Sequence, residues 1–303
     1  MSRILYSILL AWVVVAARAS DDDDDEEEGL TLKASHDYCI VGGGPAGLQM
    51  AFHMAKQKND FILLERSRPG VKFETQPVHR DLISINKRFT SQANPVFNER
   101  HDWNSILSDD EDLLMTKYTK DYYPKADVYV KYLRDYSEMV EGMLKDDTVQ
   151  RMIYGGDVVR LHRQETVEQE VGADGKASKI KRTSSASESP LILDVALTEE
   201  AASKYYNDAS VEGLELTCKD LIWATGFIQN PIDEIPGYDL PGVERYIDVD
   251  ATNERYENET VLIIGNGNAG LETAKALQNS AGKVTVVFRT PLKFSWRTHY
   301  VGH

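Results

Sequence analysis

Two stretches of the chain repeat the same pattern of apolar and polar positions. The first runs from an apolar strand at Tyr38–Val41, through a glycine-rich turn and a helix with apolar residues three and four apart, to a strand at Phe61–Glu65. The second has strands at Val261–Ile264 and Lys283–Phe288, with a helix at Leu271–Leu277 between them. Because short apolar runs flank a helical period in each stretch, the pattern predicts two βαβ motifs and an α/β fold.

The residues between the two motifs predict a helix and a small sheet. Ala126–Met143 has apolar side chains along one face, which is typical of a helix that packs on a core. The polar stretch Gln164–Pro190 predicts an exposed, mobile hairpin loop, and a strand at Asp220–Trp223 precedes Ala-Thr-Gly and a connector rich in proline and glycine. Three further runs predict the strands of a meander: Met152–Leu161, Leu191–Leu197 and Leu214–Thr217.

The turn of the first motif reads Gly-Gly-Gly-Pro-Ala-Gly over residues 42–47 and fits G-x-G-x-x-G. In such a turn the first glycine makes the bend, the second lets the backbone approach a pyrophosphate and the third packs helix on strand. Glu65 lies 18 residues after Gly47, where a carboxylate can accept hydrogen bonds from adenosine ribose hydroxyls. The residues that we expect at this dinucleotide site are Gly42, Gly44, Pro45, Ala46, Gly47, Glu65 and Arg66.

The second motif has the turn Gly-Asn-Gly-Asn-Ala-Gly over residues 265–270 and predicts a second Rossmann-like dinucleotide site. Arg289 lies 19 residues after Gly270, and we expect it in the place that Glu65 takes in the first motif. A guanidinium there favours a 2′-phosphate, hence NADPH over NADH, although a solvated charge at the strand end is the alternative. The expected residues are Gly265, Gly267, Asn268, Gly270 and Arg289.

Composition narrows the possible chemistry. The 303 residues are 42% apolar and 27% charged, as in globular proteins, and the net charge of −15 argues against nucleic-acid binding. Neither Cys39 nor Cys218 lies in a Cys-x-x-Cys turn, and two cysteines are too few for a disulfide scaffold or a cysteine-rich zinc site. Because these cysteines offer no dithiol exit, we expect the electron acceptor to lie outside the chain. The histidines have no metal-binding spacing, so we expect no metal site.

The first residues predict entry into the secretory pathway. A basic start, the apolar stretch Ile4–Ala17 and small residues at Ala17 and Ala19 are typical of a signal peptide over residues 1–19. An uncleaved anchor is the alternative, but 14 apolar residues fall short of the roughly 20 that span a bilayer. We therefore expect no membrane span after cleavage, an acidic disordered segment over residues 20–35 and a possible glycan at the Asn258 sequon.

Two G-x-G-x-x-G motifs separated by a strand that ends in Ala-Thr-Gly resemble the flavoproteins with two dinucleotide domains, which include flavin monooxygenases and disulfide reductases. Three further segments are similar to the FAD-dependent oxidoreductase domain-containing protein 2 family, an endoplasmic-reticulum flavoprotein family associated with degradation. The segments are Leu82–Arg88, Arg100–Ser105 and Ser295–Gly302. The resemblance extends from about residue 37 to residue 302.

This resemblance implies that the first site holds FAD and the second NADPH, with Gly226 in the connection between them. It implies a Rossmann-like FAD-binding domain with an inserted β-meander over residues 36–242, followed by a partial NAD(P)H-binding domain over residues 243–303. Asn86 matches an asparagine near the flavin ring of flavin monooxygenases, and a turn-capping role is the equal alternative.

The implied function is an oxidoreductase of the endoplasmic reticulum lumen that assists degradation of misfolded glycoproteins. Its implied partners are a lumenal disulfide reductase and the degradation machinery. A flavin monooxygenase-like enzyme is one alternative, but the connector Ile235–Gly242 lacks the histidine of the Phe-x-Gly-x-x-x-His segment of that group. A non-catalytic adaptor that keeps the nucleotide fold as a scaffold is the other.

The family has further domains and a lumenal retention signal after the second motif, whereas this chain stops at His303. We therefore expect a truncated form, impaired in activity and retained through a partner. In such a form Trp223 and Phe288 are expected to expose apolar surface.

Overall fold

The computed structural model describes residues 30–83, 104–110, 112–145, 151–163, 189–226, 236–250, 254–289 and 291, and the backbone of 167–171 and 177–182. The chain divides into two compact units. Unit 1 comprises Met1–Arg68 and Val140–Thr225, and unit 2 comprises Pro69–Met139 and Gly226–His303. The predicted domain boundary between residues 242 and 243 stays a prediction.

Unit 1 is built on a six-stranded sheet in the order β3-β2-β1-β8-β7-β4. Strands β3, β2, β1 and β8 run parallel, while β7 and β4 are antiparallel to their neighbours. A separate antiparallel pair is formed by β5 and β6. The strands are β1 (Leu30–Val41), β2 (Phe61–Glu65), β3 (Met152–Tyr154), β4 (Gly156–Arg163), β5 (Val167–Val171), β6 (Ala177–Arg182), β7 (Leu191–Leu197) and β8 (Val211–Trp223). The mixed sheet follows from a βαβ crossover on one side and a hairpin meander on the other.

Two helices pack in unit 1. Helix α1 (Pro45–Lys56) contacts β1 and β2 and buries Leu48, Ala51 and Phe52. Helix α5 (Glu199–Tyr206) begins after Thr198, whose hydroxyl accepts a hydrogen bond from the backbone N–H of Ala201. Apolar residues of the parallel strands and of the antiparallel strand β7 form one core. It includes Cys39, Val41, Ile62, Leu64, Ile153, Leu193, Val195, Leu214 and Leu216. The core therefore fixes the ends of β1, β2 and β8, which lie next to the first glycine turn.

Unit 2 contains the second βαβ motif and a helical segment. The motif consists of β9 (Thr260–Ile264), α6 (Asn268–Leu277) and β10 (Lys283–Val287), and its two strands are parallel. Helices α2 (Lys72–Thr75) and α3 (Met115–Tyr118) are short, and 3₁₀ turns occupy Tyr246–Asp248 and Glu254–Tyr256. Helix α4 (Ala126–Met143) has the predicted bounds and passes into unit 1 at its last turn. In unit 2 it buries three tyrosines, Tyr129, Tyr132 and Tyr136.

Several elements differ from the sequence-based expectation. Strand β1 begins at Leu30, so residues 30–35 are not part of a disordered acidic segment; they pair with β8, where Lys33 forms a 2.7 Å ion pair with Glu215. The same pairing joins the two strands that we expected at Leu214–Thr217 and Asp220–Trp223 into β8. The run Met152–Leu161 is two strands, because the chain bends at Gly155 with φ +87°. Helix α5 was not predicted from the sequence, and the stretch Gln164–Pro190, which we expected to be a mobile hairpin loop, contains the paired antiparallel strands β5 and β6.

In the part of the chain that the structure describes, no helix combines the length and the apolar character that crossing a membrane requires. Trp223 is 56% exposed and Phe288 is 45% exposed, as expected.

Candidate functional site

The first glycine turn has a geometry that requires glycine at two positions. Gly42 has φ +113°, and its N–H donates to the carbonyl of Leu64 over 2.8 Å, which attaches the turn to β2. A Cβ at Gly47 would overlap the carbonyl oxygen of Gly42, so α1 approaches the turn at a distance that only glycine allows. A Cβ at Gly44 would have no described heavy atom within 4 Å. The side of Gly44 is therefore open, as a phosphate cradle requires.

The start of α1 is suited to an anion. Gly44 is the N-cap residue, and it has no side chain to cap the first N–H groups of the helix. Pro45 occupies the first turn, Ala46 is exposed, and the N–H of Leu48 donates to the carbonyl of Gly44 over 3.0 Å. The positive end of the helix dipole thus faces the open side of the turn, where a pyrophosphate would be stabilised.

Glu65 is held by backbone groups on both sides. Its Oε2 accepts from the N–H of Gly43 over 2.7 Å, and its Oε1 accepts from the N–H of Ser67 over 3.0 Å. A Cβ at Gly43 would lie 2.8 Å from the Cβ of Glu65, so this glycine also makes room for the side chain. Each carboxylate oxygen keeps a further acceptor site, which suits the two ribose hydroxyls of an adenosine. Arg66 follows and is exposed.

The Ala-Thr-Gly segment supports the same turn. The N–H of Ala224 donates to the carbonyl of Val41 over 2.8 Å, and a Cβ at Gly42 would overlap the carbonyl oxygen of Ala224. This close approach is the second reason for glycine at position 42. Gly226 has φ +76° and is exposed, and it belongs to unit 2.

The second glycine turn repeats this geometry in unit 2. Gly265 has φ +117°, and its N–H donates to the carbonyl of Val287 over 2.8 Å. A Cβ at Gly270 would lie 2.5 Å from the carbonyl oxygen of Gly265, and one at Gly267 would have no described heavy atom within 4 Å. Gly267 is the uncapped N-cap residue of α6, which begins at Asn268. This turn can also accept a pyrophosphate.

The strand register corrects one expectation about Arg289. Val41 pairs with Leu64 in the first motif, and Ile264 pairs with Val287 in the second. The next residues therefore correspond, which puts Phe288, not Arg289, in the place of Glu65. Arg289 corresponds to Arg66 and is exposed. The apolar run Lys283–Phe288 obscured this difference of one residue, because an aromatic residue at the strand end reads as part of the strand.

The second motif is less enclosed than the first. Its sheet has two strands, and Leu262 and Ile264 are 58% and 70% exposed on one face. Of the described residues of α6, only Thr273 and Leu277 are buried. The first motif thus has a packed scaffold, whereas the second has one open sheet face.

Two predicted residues remain. Asn86 is outside the described residues. Asn258 lies in an exposed turn before β9 with φ +61°, and its N–H donates to the carbonyl of Ser280 over 3.0 Å. Among the residues that the structure describes, no group of three or more His, Cys, Asp or Glu side chains could hold a metal ion.

The two motifs agree with a match between most of the chain and a known protein family. A family model described as pyridine nucleotide-disulphide oxidoreductase matches residues 36–295. The chain belongs to this family. It is 34% identical to two proteins named FAD-dependent oxidoreductase domain-containing protein 2, from Danio rerio over 276 residues (91% of this chain) and from Mus musculus over 271 residues (89%). The resemblance found in the sequence is thereby confirmed, and the chain spans 34% and 35% of the lengths of these relatives.

Solved structures share the fold of this family member. A bacillithiol disulfide reductase from Staphylococcus aureus superimposes with a TM-score of 0.52 at 17% identity, covering 88% of this chain and 61% of that one. A flavin monooxygenase variant from Stenotrophomonas maltophilia gives 0.53 at 17% identity, covering 85% and 58%. A cyclohexanone monooxygenase variant from Rhodococcus, bound to NADP⁺, gives 0.50 at 15% identity, covering 85% and 39%. The predicted α/β fold of a two-dinucleotide flavoprotein is confirmed.

Sequence reasoning about this family member missed a disulfide. The structure joins Cys39 in β1 to Cys218 in β8, with their Cα atoms 5.9 Å apart and both residues fully buried. We expected that two cysteines would build no disulfide scaffold, and we did not predict this single bond, because strand order brings together residues that are 179 positions apart. The bond links β1, which precedes the first turn, to β8, and because both cysteines are fully buried it is not exposed to a partner thiol.

Sequence reasoning also missed a polar contact of the second motif. His79 and Glu272 form a 2.7 Å contact between the Nε2 and Oε2 atoms in unit 2. Neither residue is part of a glycine turn, and 193 positions separate them, so no pattern in the sequence could have found the pair.

Proposed function

We propose that this chain is an FAD-dependent, NADPH-linked oxidoreductase of the endoplasmic reticulum lumen that assists the degradation of misfolded glycoproteins. One observation carries the redox part of the proposal: the Glu65 carboxylate is fixed by Gly43 and Ser67 beside the open turn at Gly44. Membership of an oxidoreductase family and a flavoprotein fold support it.

The first turn fits the adenosine diphosphate half of FAD. Gly42, Gly44 and the start of α1 would hold the pyrophosphate, and Glu65 would accept hydrogen bonds from the ribose. The open cradle at Gly44 and the remaining acceptor sites of Glu65 are the features that fit this group. FAD bound here would supply two-electron redox chemistry, with NADPH as the electron donor.

The second turn fits NADPH. Gly265, Gly267 and the start of α6 would hold its pyrophosphate. Phe288 stands where the first motif has a carboxylate, so no acid at that position repels a 2′-phosphate, and Arg289 follows at once to pair with it. The related fold of a cyclohexanone monooxygenase bound to NADP⁺ supports this assignment.

The compartment is proposed from the sequence and from one covalent bond. Residues 1–19 have the pattern of a signal peptide, and Asn258 begins a glycosylation sequon. The Cys39–Cys218 disulfide is compatible with an oxidising lumen. Because these buried cysteines offer no dithiol exit, electrons would leave to a separate acceptor, for which a lumenal disulfide reductase is our candidate. The degradation machinery is the other proposed partner.

A flavin monooxygenase-like activity is the second candidate, favoured by the flavin monooxygenase fold at a TM-score of 0.53. Oxygen is then the acceptor. An adaptor without turnover is the non-enzymatic alternative.

The test is an absorbance spectrum of the chain after reconstitution with FAD, before and after NADPH is added without oxygen. We expect a yellow protein that bleaches with NADPH. Gly44→Ala and Gly267→Ala should separate the two sites, because each new methyl group would enter an open cradle without touching a described atom. Gly44→Ala should lose FAD, while Gly267→Ala should keep FAD and lose the bleaching. The matched control is Gly142→Ala, which adds a methyl group to open space on α4.

Two outcomes distinguish the candidate functions, and one variant tests the preference for NADPH over NADH. A colourless wild-type protein would reject the enzyme and favour the adaptor. Bleaching followed by rapid NADPH oxidation in air, with oxygenation of a substrate, would favour the monooxygenase. Arg289→Gln should weaken NADPH about tenfold and leave NADH unchanged, since a charge-assisted bond to phosphate contributes about 1.4 kcal/mol or more.

A further inference from the structure

Residues 76–82 of unit 2, the strap, connect the second motif to the rest of that unit. At one end Gln76 donates from Nε2 to the carbonyl of Ile247 over 3.4 Å. At the other end Asp81 pairs with Lys125 in an isolated β-bridge, and the N–H of Leu82 donates to the carbonyl of Pro124 over 2.8 Å. The strap is therefore fixed to the start of α4 and to the 3₁₀ turn at Tyr246–Asp248.

The middle of the strap reaches α6 through His79. The His79 side chain is 9% exposed, and its Nε2 lies 2.7 Å from Oε2 of Glu272. The backbone N–H of Asp81 donates to Nδ1 of His79 over 3.3 Å. Nδ1 is thus the acceptor and Nε2 carries the proton that is donated to Glu272. The imidazole is held from both nitrogens, so its orientation is defined.

Glu272 also interacts electrostatically with Tyr246, a half-buried residue of the 3₁₀ turn. Burial raises the pKa of Tyr246, a backbone hydrogen bond from Val78 lowers it, and the neighbouring Glu272 carboxylate raises it again. Glu272 of α6 therefore interacts with two other elements of unit 2: with the strap through the His79 contact, and electrostatically with Tyr246 of the 3₁₀ turn.

This contact matters because α6 has little apolar packing. Helix α1 buries Leu48, Ala51 and Phe52 against the sheet of unit 1. The described part of α6 buries only Thr273 and Leu277, and β9 exposes one face. Glu272 lies about one turn after Asn268, the first residue of α6, so a fixed Glu272 carboxylate fixes the end of the helix that faces the open turn.

We propose that His79 and Glu272 are positioning residues for the second dinucleotide site. They hold the phosphate-binding end of α6 at the orientation that a nicotinamide dinucleotide requires, in place of the apolar packing that holds α1. This inference rests on the proposed function of the second motif. It predicts that loss of the pair weakens dinucleotide binding at that motif and leaves the FAD site of unit 1 unchanged.

The experiment compares NADPH dissociation constants of the FAD-reconstituted chain and its variants. His79→Leu keeps a buried side chain but removes the donor, and Glu272→Met removes the acceptor from a helical position. Each substitution should raise the NADPH dissociation constant about tenfold. The double variant should have a dissociation constant no higher than that of either single variant, because the two side chains act as a pair. His79→Gln restores an N–H donor and should stay within about twofold of the wild type. Lys275→Met, on the exposed side of α6, is the control.

Hydrogen exchange of residues 268–277 gives a second readout. It should accelerate in His79→Leu and stay slow in His79→Gln. Equal NADPH constants in the wild type, His79→Leu and Glu272→Met would overturn the inference while leaving the proposed function intact, even if melting temperatures fall. Failure of the FAD-containing wild type to bind NADPH would instead reject the proposed function and this inference with it. Loss of FAD in the His79 or Glu272 variants would also overturn the inference, because the FAD site of unit 1 should stay unchanged.

Discussion

The two glycine turns have nearly the same backbone and very different surroundings. Gly42 and Gly265 have φ values of +113° and +117°, and each N–H donates over 2.8 Å to the carbonyl of a residue on the neighbouring strand. In both turns the third glycine leaves no room for a Cβ and the second is open. The turn geometry is therefore a local property of six residues, independent of the size of the sheet.

The surroundings decide what each turn can hold. The first turn is attached to a six-stranded sheet, carries a fixed carboxylate at Glu65 and is linked to β8 by a disulfide. The second is attached to two strands and has Phe288 in the equivalent place. The comparison teaches that the glycine turn alone specifies a phosphate cradle. The residue at the end of the second strand determines which ribose group can bind, and the surrounding scaffold determines the stability of the motif.

The largest expected effect comes from a methyl group on the third glycine. Gly47→Ala would overlap the Gly42 carbonyl, and the packed core around β1 and α1 cannot shift to relieve it. We expect it to lower the free energy of unfolding of unit 1 by more than about 3 kcal/mol. Gly270→Ala makes a milder overlap in a motif with an exposed face and should cost about 1 kcal/mol. Urea unfolding measures both.

Gly142→Ala is again the control, because alanine in a solvent-facing helical position stabilises slightly. Equal losses in Gly47→Ala and Gly270→Ala would contradict the view that the scaffold decides how well the turn accommodates a Cβ.

The disulfide gives the next largest effect. Replacing both Cys39 and Cys218 by alanine should lower stability by about 2–3 kcal/mol, because the bond closes a loop of 179 residues in the unfolded chain. Denaturant unfolding with and without a reducing agent measures this. The reductant should lower the stability of the wild type and leave the double variant unchanged. A wild type that is insensitive to full reduction would show that the bond contributes nothing to the first motif.

A smaller effect is expected at the opposite end of the same sheet. Burial alone would raise the pKa of Asp60, but hydrogen bonds from His36, the Asp37 backbone and Arg151 outweigh this effect and lower the pKa from its ordinary value. A lowered folded-state pKa means that the stabilisation is complete above the unfolded value and is lost as the pH falls through the folded value. Because the side chain is 40% exposed, Asp60→Asn should cost only about 1 kcal/mol at pH 7.

The measurement is the stability difference between wild type and Asp60→Asn across pH 2 to 7. It should be constant above about pH 5 and shrink towards acid pH. A difference that grows on acidification would have the wrong sign for this network. Asp157→Asn, at an exposed position in β4, is the control.

What the sequence predicted is what neighbouring residues determine. Both glycine turns, β2, α4 and β7 were predicted because short spacings define them, and the last three have the predicted bounds. The end of β10 was misjudged by one residue, since Phe288 is as apolar as the strand before it. The distinction between Phe288 and Arg289 came only from the register with β9.

What the sequence could not predict depends on residues far apart in the chain. The extension of β1 to Leu30 needs β8, with the Lys33–Glu215 pair 182 positions apart. The Cys39–Cys218 bond and the His79–Glu272 contact span 179 and 193 positions. Such pairs follow from strand order and packing, which local patterns do not contain.

The smallest expected effect concerns the glycan predicted at Asn258. This residue is exposed and lies before the amino end of β9, whereas Gly265 follows its carboxyl end. The five residues of β9 separate the two by about 17 Å at a rise of about 3.4 Å per residue, so a glycan would project away from the phosphate cradle. In the chain secreted into the lumen, Asn258→Gln should remove a glycosidase-sensitive shift in electrophoretic mobility. It should leave the NADPH affinity within about twofold of the wild type. Thr260→Ala should do the same by destroying the sequon, while Thr260→Ser should keep the shift. If only the glycosylated chain bound NADPH more weakly, the amino and carboxyl ends of the second motif would not be independent of each other. In the first motif, we expect the six-stranded sheet to keep the two ends independent.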